Sequence, residues 1–438
     1  MVRGALPHPS ISELVRVSAR IGLLSFGGPA GQIALMHREL VDERRWVAED
    51  DYLQALNVCN LLPGPEAQQL ATWIGWRLHG WKGGLVAGGL FVLPGALVML
   101  ALSILYALAA DLDWFAALFL GIKAAVLAII AQALLRIAGR ALKTPLQRVL
   151  ATAAFVALFV LDAPFPLVVL AALALGAWAG AKRPGWLALA PAPARGESGT
   201  PPWGASLKAV VVWGAIWATP MTAVFILLGP DHVLWDIGVF FSKLAVVTFG
   251  GAYAVLAYMA QEAVGGYGWL QAGEMADGLG LAETTPGPLI MVTQFVGYLA
   301  AFRAPEPFGP LVAGMLGAAL TTWVTFAPCF LWIFAFAPWM DRLQRAPALK
   351  GGLAAVTAAV VGVIANLALW FALHVLFARV TMAEAGPLRL QVPEWASFDW
   401  RAAAVATVAL VLIFALKRGV IATLAVTAAL GLALGALT

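Results

Sequence analysis

Charge is what this sequence has least of. Only 11% of its 438 residues are Asp, Glu, Lys or Arg, while 62% are hydrophobic; a soluble domain carries about a quarter of its residues as charges. That shortage excludes a soluble globule and a disordered chain, both of which need far more charge to stay solvated. A nucleic-acid binder with a basic surface is excluded too, because the 27 Lys and Arg face 23 Asp and Glu and are scattered along the chain. Cysteine is almost missing. Cys59 and Cys329 make neither a disulfide framework nor a zinc site, and in apolar runs they read as small packed hydrophobes. His8, His37, His79, His232 and His374 are dispersed and form no metal set. No Walker loop, GxGxxG, HExxH, CxxC or GxSxG stands in a usable context. The expectation is therefore no ATP hydrolysis, no enzyme, no cofactor and no metal.

What fills the chain is apolar runs. A spanning helix needs about 20 mostly apolar residues, and that rule predicts an all-α integral membrane protein with about 13 spans. They lie near 11–36, 51–77, 83–110, 114–138, 148–161, 164–181, 206–229, 235–260, 274–302, 308–337, 348–378, 401–416 and 418–437. The head of the chain has no short apolar core followed by a small-residue cleavage site, so 11–36 reads as a retained membrane helix. Residues 182–205, with Pro184, Pro191, Pro193, Pro201 and Pro202, read as a linker. Basic residues alternate with loops marked by Asp111, Asp113, Asp162 and Asp231. The positive-inside rule then puts the N-terminus in the cytoplasm and the C-terminus outside. The stretch 379–401 fits least well, since Arg379, Arg389 and Arg401 fall on the outer side.

Internal symmetry is the strongest signal. Ser25-Phe-Gly-Gly28 recurs as Thr248-Phe-Gly-Gly251, and Leu62-Pro-Gly-Pro65 as Thr285-Pro-Gly-Pro288, both at an offset of 223. Glu39 matches Glu262 and Trp46 matches Trp269; ungapped, 26–65 against 249–288 gives 12 identities in 40, where chance would give roughly three or four. Later the offset becomes 234, pairing Pro94 with Pro328 and Ala124-Ala-Val126 with Ala358-Ala-Val360, with eleven extra residues placed around 303–310. The reading is a first repeat at 1–181, the linker 182–205, a linking helix within 206–234 and a second repeat at 235–438. One extra helix between two six-helix halves inverts the second half, an arrangement recurrent in secondary transporters.

Phe-Gly-Gly and Pro-Gly-Pro are poor material for a membrane helix, because Pro removes a backbone donor and Gly frees the chain. Such breaks survive in hydrocarbon only where protein or a hydrated cavity satisfies the backbone. Each also creates a half-helix N-terminus with free N–H groups and partial positive charge, suited to an anion. The alternative is that the breaks are kinks or packing points. Ser25, Gly27, Gly28, Pro63, Gly64, Pro65, Thr248, Gly250, Gly251, Thr285, Pro286, Gly287 and Pro288 are the break residues expected to bind substrate. Arg20 and Lys243, each seven residues before a break glycine, and the deeper Lys123 are the cations expected near an anion; snorkelling is the alternative for the first two. Glu66, just after the first Pro-Gly-Pro, and Glu283, before the second, are candidates for proton coupling, with helix capping as the alternative for Glu66. Glu39 and Glu262 read as loop organisers, and Asp50 and Asp51 as helix caps.

Ser25-Phe-Gly-Gly-Pro29, Leu62-Pro-Gly-Pro-Glu-Ala-Gln-Gln69, Gly80-Trp-Lys-Gly-Gly-Leu-Val-Ala-Gly88 and the diverged second copy together resemble the bacterial chromate ion transporter family in its long, two-domain form. The resemblance implies an inner-membrane protein that exports chromate from the cytoplasm, driven by the proton-motive force, and confers chromate resistance. In the second half Glu66 is replaced by Leu289 and Pro29 by Ala252, so the halves cannot supply equivalent ligands. Residues alone reach an anion carrier. Sulfate, a tetrahedral dianion of similar shape, stays open as substrate, as do a homodimer, an anion channel and a membrane enzyme acting on lipid phosphates.

Overall fold

In the computed structural model, residues 7–26, 28–109, 112–189, 203–249, 252–343, 346–386 and 388–436 are described. The helices in chain order are α1 (Ile11–Leu24), α2 (Gly28–His37), α3 (Glu49–Cys59), α4 (Glu66–Ala109), α5 (Asp113–Ala141), α6 (Pro145–Phe159), α7 (Phe165–Lys182), α8 (Trp203–Leu228) and α9 (Val233–Val247). They continue as α10 (Ala252–Gln261), α11 (Ala272–Thr284), α12 (Val292–Arg303), α13 (Pro310–Phe336), α14 (Met340–Leu343), α15 (Pro347–Leu376), α16 (Trp400–Leu410) and α17 (Val420–Gly435). Among the described residues α4, α5, α7, α8, α13 and α15 are long and apolar enough to cross a membrane, and shorter apolar helices accompany them. This is an all-α membrane protein.

Local chemistry sets several helix starts. Ser10 accepts from the Glu13 N–H while Glu13 reaches back to Ser10, a capping box that opens α1. Thr144 and Gln147 do the same for α6, with Pro145 at its first position. Asp399 caps α16 through the N–H groups of Arg401 and Ala402. Asp50 and Asp51 are not caps: Ala48 precedes α3, and the two carboxylates lie in its first turn, where the helix dipole favours them.

Four runs read as single spans are each divided, 235–260 between α9 and α10, 274–302 between α11 and α12, and their two counterparts in the first repeat likewise. The run 11–36 is two helices, α1 and α2, separated at 25–27, and 51–77 is divided at 60–65 between α3 and α4. Conversely α4 runs through 78–82, bent at His79 and Gly80, where Gly80 takes a φ of 61° that needs no Cβ. The stretch 379–401 holds an antiparallel hairpin, β1 (Val380–Ala385) with β2 (Leu388–Pro393). Its charged residues decorate a ribbon and not a span. Most of the linker, 190–202, lies outside the described residues, and Pro184–Leu187 is a single helical turn.

The repeat is visible in the backbone. Trp46 N–H donates to the Leu40 carbonyl and Trp269 N–H to that of Ala263, both at 2.8 Å. Each follows a wide helical turn, Arg38–Glu43 and Glu262–Gly266. The eleven extra residues of the second copy are the loop 304–309 and the first five residues of α13. At α16 and α17 the offset grows again to 255, and the hairpin fills the added length.

Packing divides the chain into two units, each taking segments from both repeats. One holds 1–103, 192–252 and 285–346; the other holds 104–191, 253–284 and 347–438. In the first, α12 is buried from Val292 to Ala301, whereas α8 buries only Ser206 and exposes Trp203, Ile226 and Leu227. One side of α8 packs on α13, and the apolar surface left open on its other sides is suited to lipid. In the second, α15 packs along α5, α6 and α7, and glycines bring backbones close. A methyl group at Gly176 would stand 2.4 Å from the Gly351 oxygen, and one at Gly121 2.0 Å from that of Thr427.

Candidate functional site

The four sequence breaks are helix breaks in the structure, and the first packing unit joins them in crossed pairs. In each Pro-Gly-Pro the prolines have no N–H, so the glycine supplies the triplet's one amide donor. Gly64 N–H donates to the Thr248 carbonyl at 2.9 Å, and Gly287 N–H donates to the Ser25 carbonyl at 2.9 Å. Each bond runs from one repeat to the other. Both glycines hold positive φ, 108° at Gly64 and 92° at Gly287, and Gly28 opens α2 at 71°.

The surrounding groups repeat the crossing. A methyl at Gly64 would meet Cys329 Sγ at 3.1 Å, and one at Gly287 would meet Gly95 Cα at 3.2 Å. Cys329 and Gly95 are themselves repeat counterparts, each following the proline inside its helix, Pro328 in α13 and Pro94 in α4. Gln69 Nε2 donates to the Pro63 carbonyl and Gln32 Nε2 to that of Gly287, both at 2.5 Å. The broken backbone is thus satisfied inside the protein, as hydrocarbon surroundings require. Ser25 Oγ donates to the Ile21 carbonyl and Thr248 Oγ1 to that of Leu244, so both hydroxyl protons serve their own helices. Ser25, Gly64, Pro65, Thr248, Thr285, Pro286, Gly287 and Pro288 are buried and Pro63 is half-buried. Gly27, Gly250 and Gly251 lie outside the described residues.

The three cations are placed differently. Lys243 is exposed on α9. Arg20 is also exposed, and its Nε faces Glu39 at 3.5 Å. Glu39 is buried and bonded to Arg44 as well, so it organises the turn after α2 as its position suggested. Lys123, expected to face a bound anion, faces a carboxylate of the protein: its Nζ is 3.2 Å from Asp277 Oδ2 in the second unit. Tyr106 Oη donates to the same oxygen at 2.7 Å. Glu66 begins α4 and Glu283 is buried near the end of α11.

Asp277, Tyr106 and Gln32 were missed from sequence. For Asp277 a signal existed, since Gly273, Asp277 and Gly280 share one helical face, with small residues on either side of an acid in an apolar run. The repeat hid it, because the positions matching Asp277 and Lys123 are Gln54 and Thr357, neither of them charged.

Outside the breaks, His37 faces Asp42 through Nδ1 at 3.2 Å and Glu49 through Nε2 at 2.6 Å. The ring nitrogens point apart, so this arrangement suits an imidazolium between two carboxylates better than one metal ion. At the hairpin, Asp162 accepts from Gln261 at 2.8 Å and from Arg389 at 3.4 Å, lining a cleft that contains no break residue.

A repeated all-α membrane chain whose broken helices are stitched repeat to repeat has the build of a multi-pass transporter. The comparisons with known proteins place it further. The chromate transporter family profile matches residues 12–177 and 235–432, and this chain belongs to that family. It is 35% identical to a chromate transport protein of Pseudomonas aeruginosa, over 82% of this chain and 81% of that one. It is 30% identical to the chromate transport protein of Cupriavidus metallidurans, over 82% of each. No solved structure matches the chain. The two matched segments leave out 178–234, which contains the whole linker and α8.

Proposed function

We propose that this protein is a secondary carrier that exports chromate across the bacterial inner membrane, coupled to the proton-motive force. The N-terminus faces the cytoplasm, the C-terminus faces the periplasm, and the two repeats are inverted. The observation that carries the reading is the crossed pairing of the breaks, Gly64 with Thr248 and Gly287 with Ser25. A break held by the other repeat lets two half-helix N-termini per repeat face a substrate without leaving unpaired backbone in lipid. Moving one repeat against the other then changes the environment of both break pairs together. Alternating access requires such a movement, and a simple pore does not.

In this reading the N-terminal ends of α2, α4, α10 and the segment 289–292 provide partial positive charge for the dianion. Lys123 provides a full charge within the second unit. Glu66 and Glu283 stand beside the Pro-Gly-Pro triplets, where a carboxylate and an oxyanion compete for the same dipoles. Arg20, committed to Glu39, shapes the loop, and Lys243 supplies attraction from the surface.

Everted membrane vesicles from cells producing the protein test the proposal. Energised vesicles should accumulate chromate above the outside concentration, and an uncoupler should abolish the accumulation. Chromate that only equilibrates, at a rate indifferent to the uncoupler, would indicate a channel.

A further inference from the structure

Asp277 is a carboxylate at 3% exposure inside an apolar helix, and a buried charge there costs several kcal/mol unless paired. Its Oδ2 has two donors, Lys123 and Tyr106. Its Oδ1 is buried with no hydrogen-bond partner among the described residues. The packing is arranged to bring the pair together. A methyl at Gly273, one turn before Asp277, would stand 3.2 Å from Lys123 Nζ, and one at Gly280, a turn after it, 2.1 Å from Ile122 Cγ2. Two glycines thus let α11 lie against α5 on either side of the acid. Tyr106 is held by edge contacts with Phe115 and Phe119 at ring separations of 5.6 and 5.2 Å.

Lys123 lies ten residues into α5, roughly 15 Å from its start, too deep to reach the interface easily. It still keeps 27% of its side-chain surface open, against 4% for that of Asp277. The charged and titratable groups around Asp277 are Lys123 from α5, Tyr106 from α4 and Glu274 on its own helix. The packed segments of α15 between Lys350 and His374, and all of α17, carry none.

We infer that Asp277, Lys123 and Tyr106 form an exchange site, in which a proton taken by Asp277 frees the Lys123 ammonium and Tyr106 hydroxyl for a substrate oxyanion. The inference rests on the transport reading above and names the residues where proton and anion meet. A dianion and the Asp277 carboxylate cannot both hold one ammonium in low dielectric without strong repulsion. Protonation at Oδ1, the unpartnered oxygen, turns the acid into a neutral donor and ends the ion pair. Loss of that proton restores the pair and expels the anion. Binding of proton and oxyanion is therefore linked with positive sign. The two travel together as a net negative charge that the membrane potential drives outward, and the substrate of this site is a compact divalent oxyanion.

The test is chromate titration by calorimetry on the detergent-purified protein at about pH 6 and about pH 8. Chromate itself takes up a proton in this range, so the readout is the difference between wild type and variant. Asp277→Asn, which mimics the protonated acid, should bind at least tenfold tighter than wild type at the higher pH and match it at the lower. Lys123→Gln should bind at least tenfold more weakly than wild type at the lower pH. Tyr106→Phe removes one of the two donors to Oδ2 and should change the pH dependence of binding. It keeps the test decisive if Asp277→Asn does not fold. A pH dependence that is the same in wild type, Asp277→Asn and Tyr106→Phe overturns the exchange site alone. Absence of chromate binding by the wild type at both pH values overturns the transport reading and the inference with it.

Discussion

Gly64 donates its N–H to the carbonyl oxygen of Thr248 at 2.9 Å, and 223 residues further along Gly287 does the same to Ser25. The two bonds exchange the repeats: each Pro-Gly-Pro is closed by the Phe-Gly-Gly segment of the other half. A kink that merely relieved packing would have no reason to be satisfied across the repeat boundary. The reciprocity also means that distortion at one break is passed to the other repeat through a single hydrogen bond.

Gly64→Ala and Gly287→Ala should therefore act on stability and transport together. Positive φ at each site costs a side chain about 1–3 kcal/mol, and the new methyl would press on Cys329 Sγ or on Gly95 Cα. Both variants should melt at lower temperature and carry chromate more slowly, whereas Gly419→Ala, at a glycine with open space around it, should do neither. Thermal unfolding in detergent beside vesicle uptake checks the pair, and normal melting of both variants would remove the steric argument.

The proposed inversion of the repeats would place 37–50 and 261–273 on opposite faces of the membrane. Cys59 and Cys329 are buried, so exposed single cysteines at Glu43→Cys and Gly265→Cys report on the loops alone. An impermeant thiol reagent added to intact cells should label Glu43→Cys and not Gly265→Cys. Labelling of both from one side would contradict inversion.

Arg20 and Arg44 meet the same buried Glu39, but with unequal exposure, 56% against 25%. Arg20→Gln should cost about 0–1 kcal/mol, as an exposed pair does. Arg44→Gln should cost about 1.5–3 kcal/mol, because it removes a charge-assisted bond to a buried carboxylate. Chromate affinity should change less than twofold in Arg20→Gln, measured by calorimetry. A tenfold loss without a drop in melting temperature would return Arg20 to the anion site.

The His37 link between α2 and α3 carries a pH dependence. Burial pulls its imidazole toward the neutral form, but the Glu49 and Asp42 carboxylates outweigh burial and raise its pKa above 6.5. A raised folded value stabilises the protein below the unfolded value and loses that contribution as pH rises through the folded one. His37→Gln should therefore lower the melting temperature at about pH 5.5 and leave it unchanged at about pH 8.5. An equal drop at both would show that the imidazole acts by packing alone, as its edge contact with Tyr52 would allow.

The breaks were legible because helix-breaking residues recur at one offset, and recurrence separates them from chance. The membrane class was legible from the shortage of charge. What pairs with what was not. Glu39 and Arg20 are nineteen residues apart, but Lys123 and Asp277 are on distant helices and have no charged counterparts in the other half, so the repeat gave no sign of them. The run 11–36 was counted as one span although its Phe-Gly-Gly break was legible, because a span count measures apolar length and is blind to backbone angle. The hairpin at 380–393 was hidden for a related reason, since a span count recognises only apolar length. Its alternating residues lie between two helices that do fit the count.

The central claim is that this chain carries chromate. Purified protein reconstituted in liposomes, loaded with and without an imposed pH gradient and assayed for chromate against sulfate, tests it most directly. The account predicts saturable chromate flux that the gradient accelerates. Flux no faster than in protein-free liposomes, or movement of sulfate with chromate left behind, would contradict it.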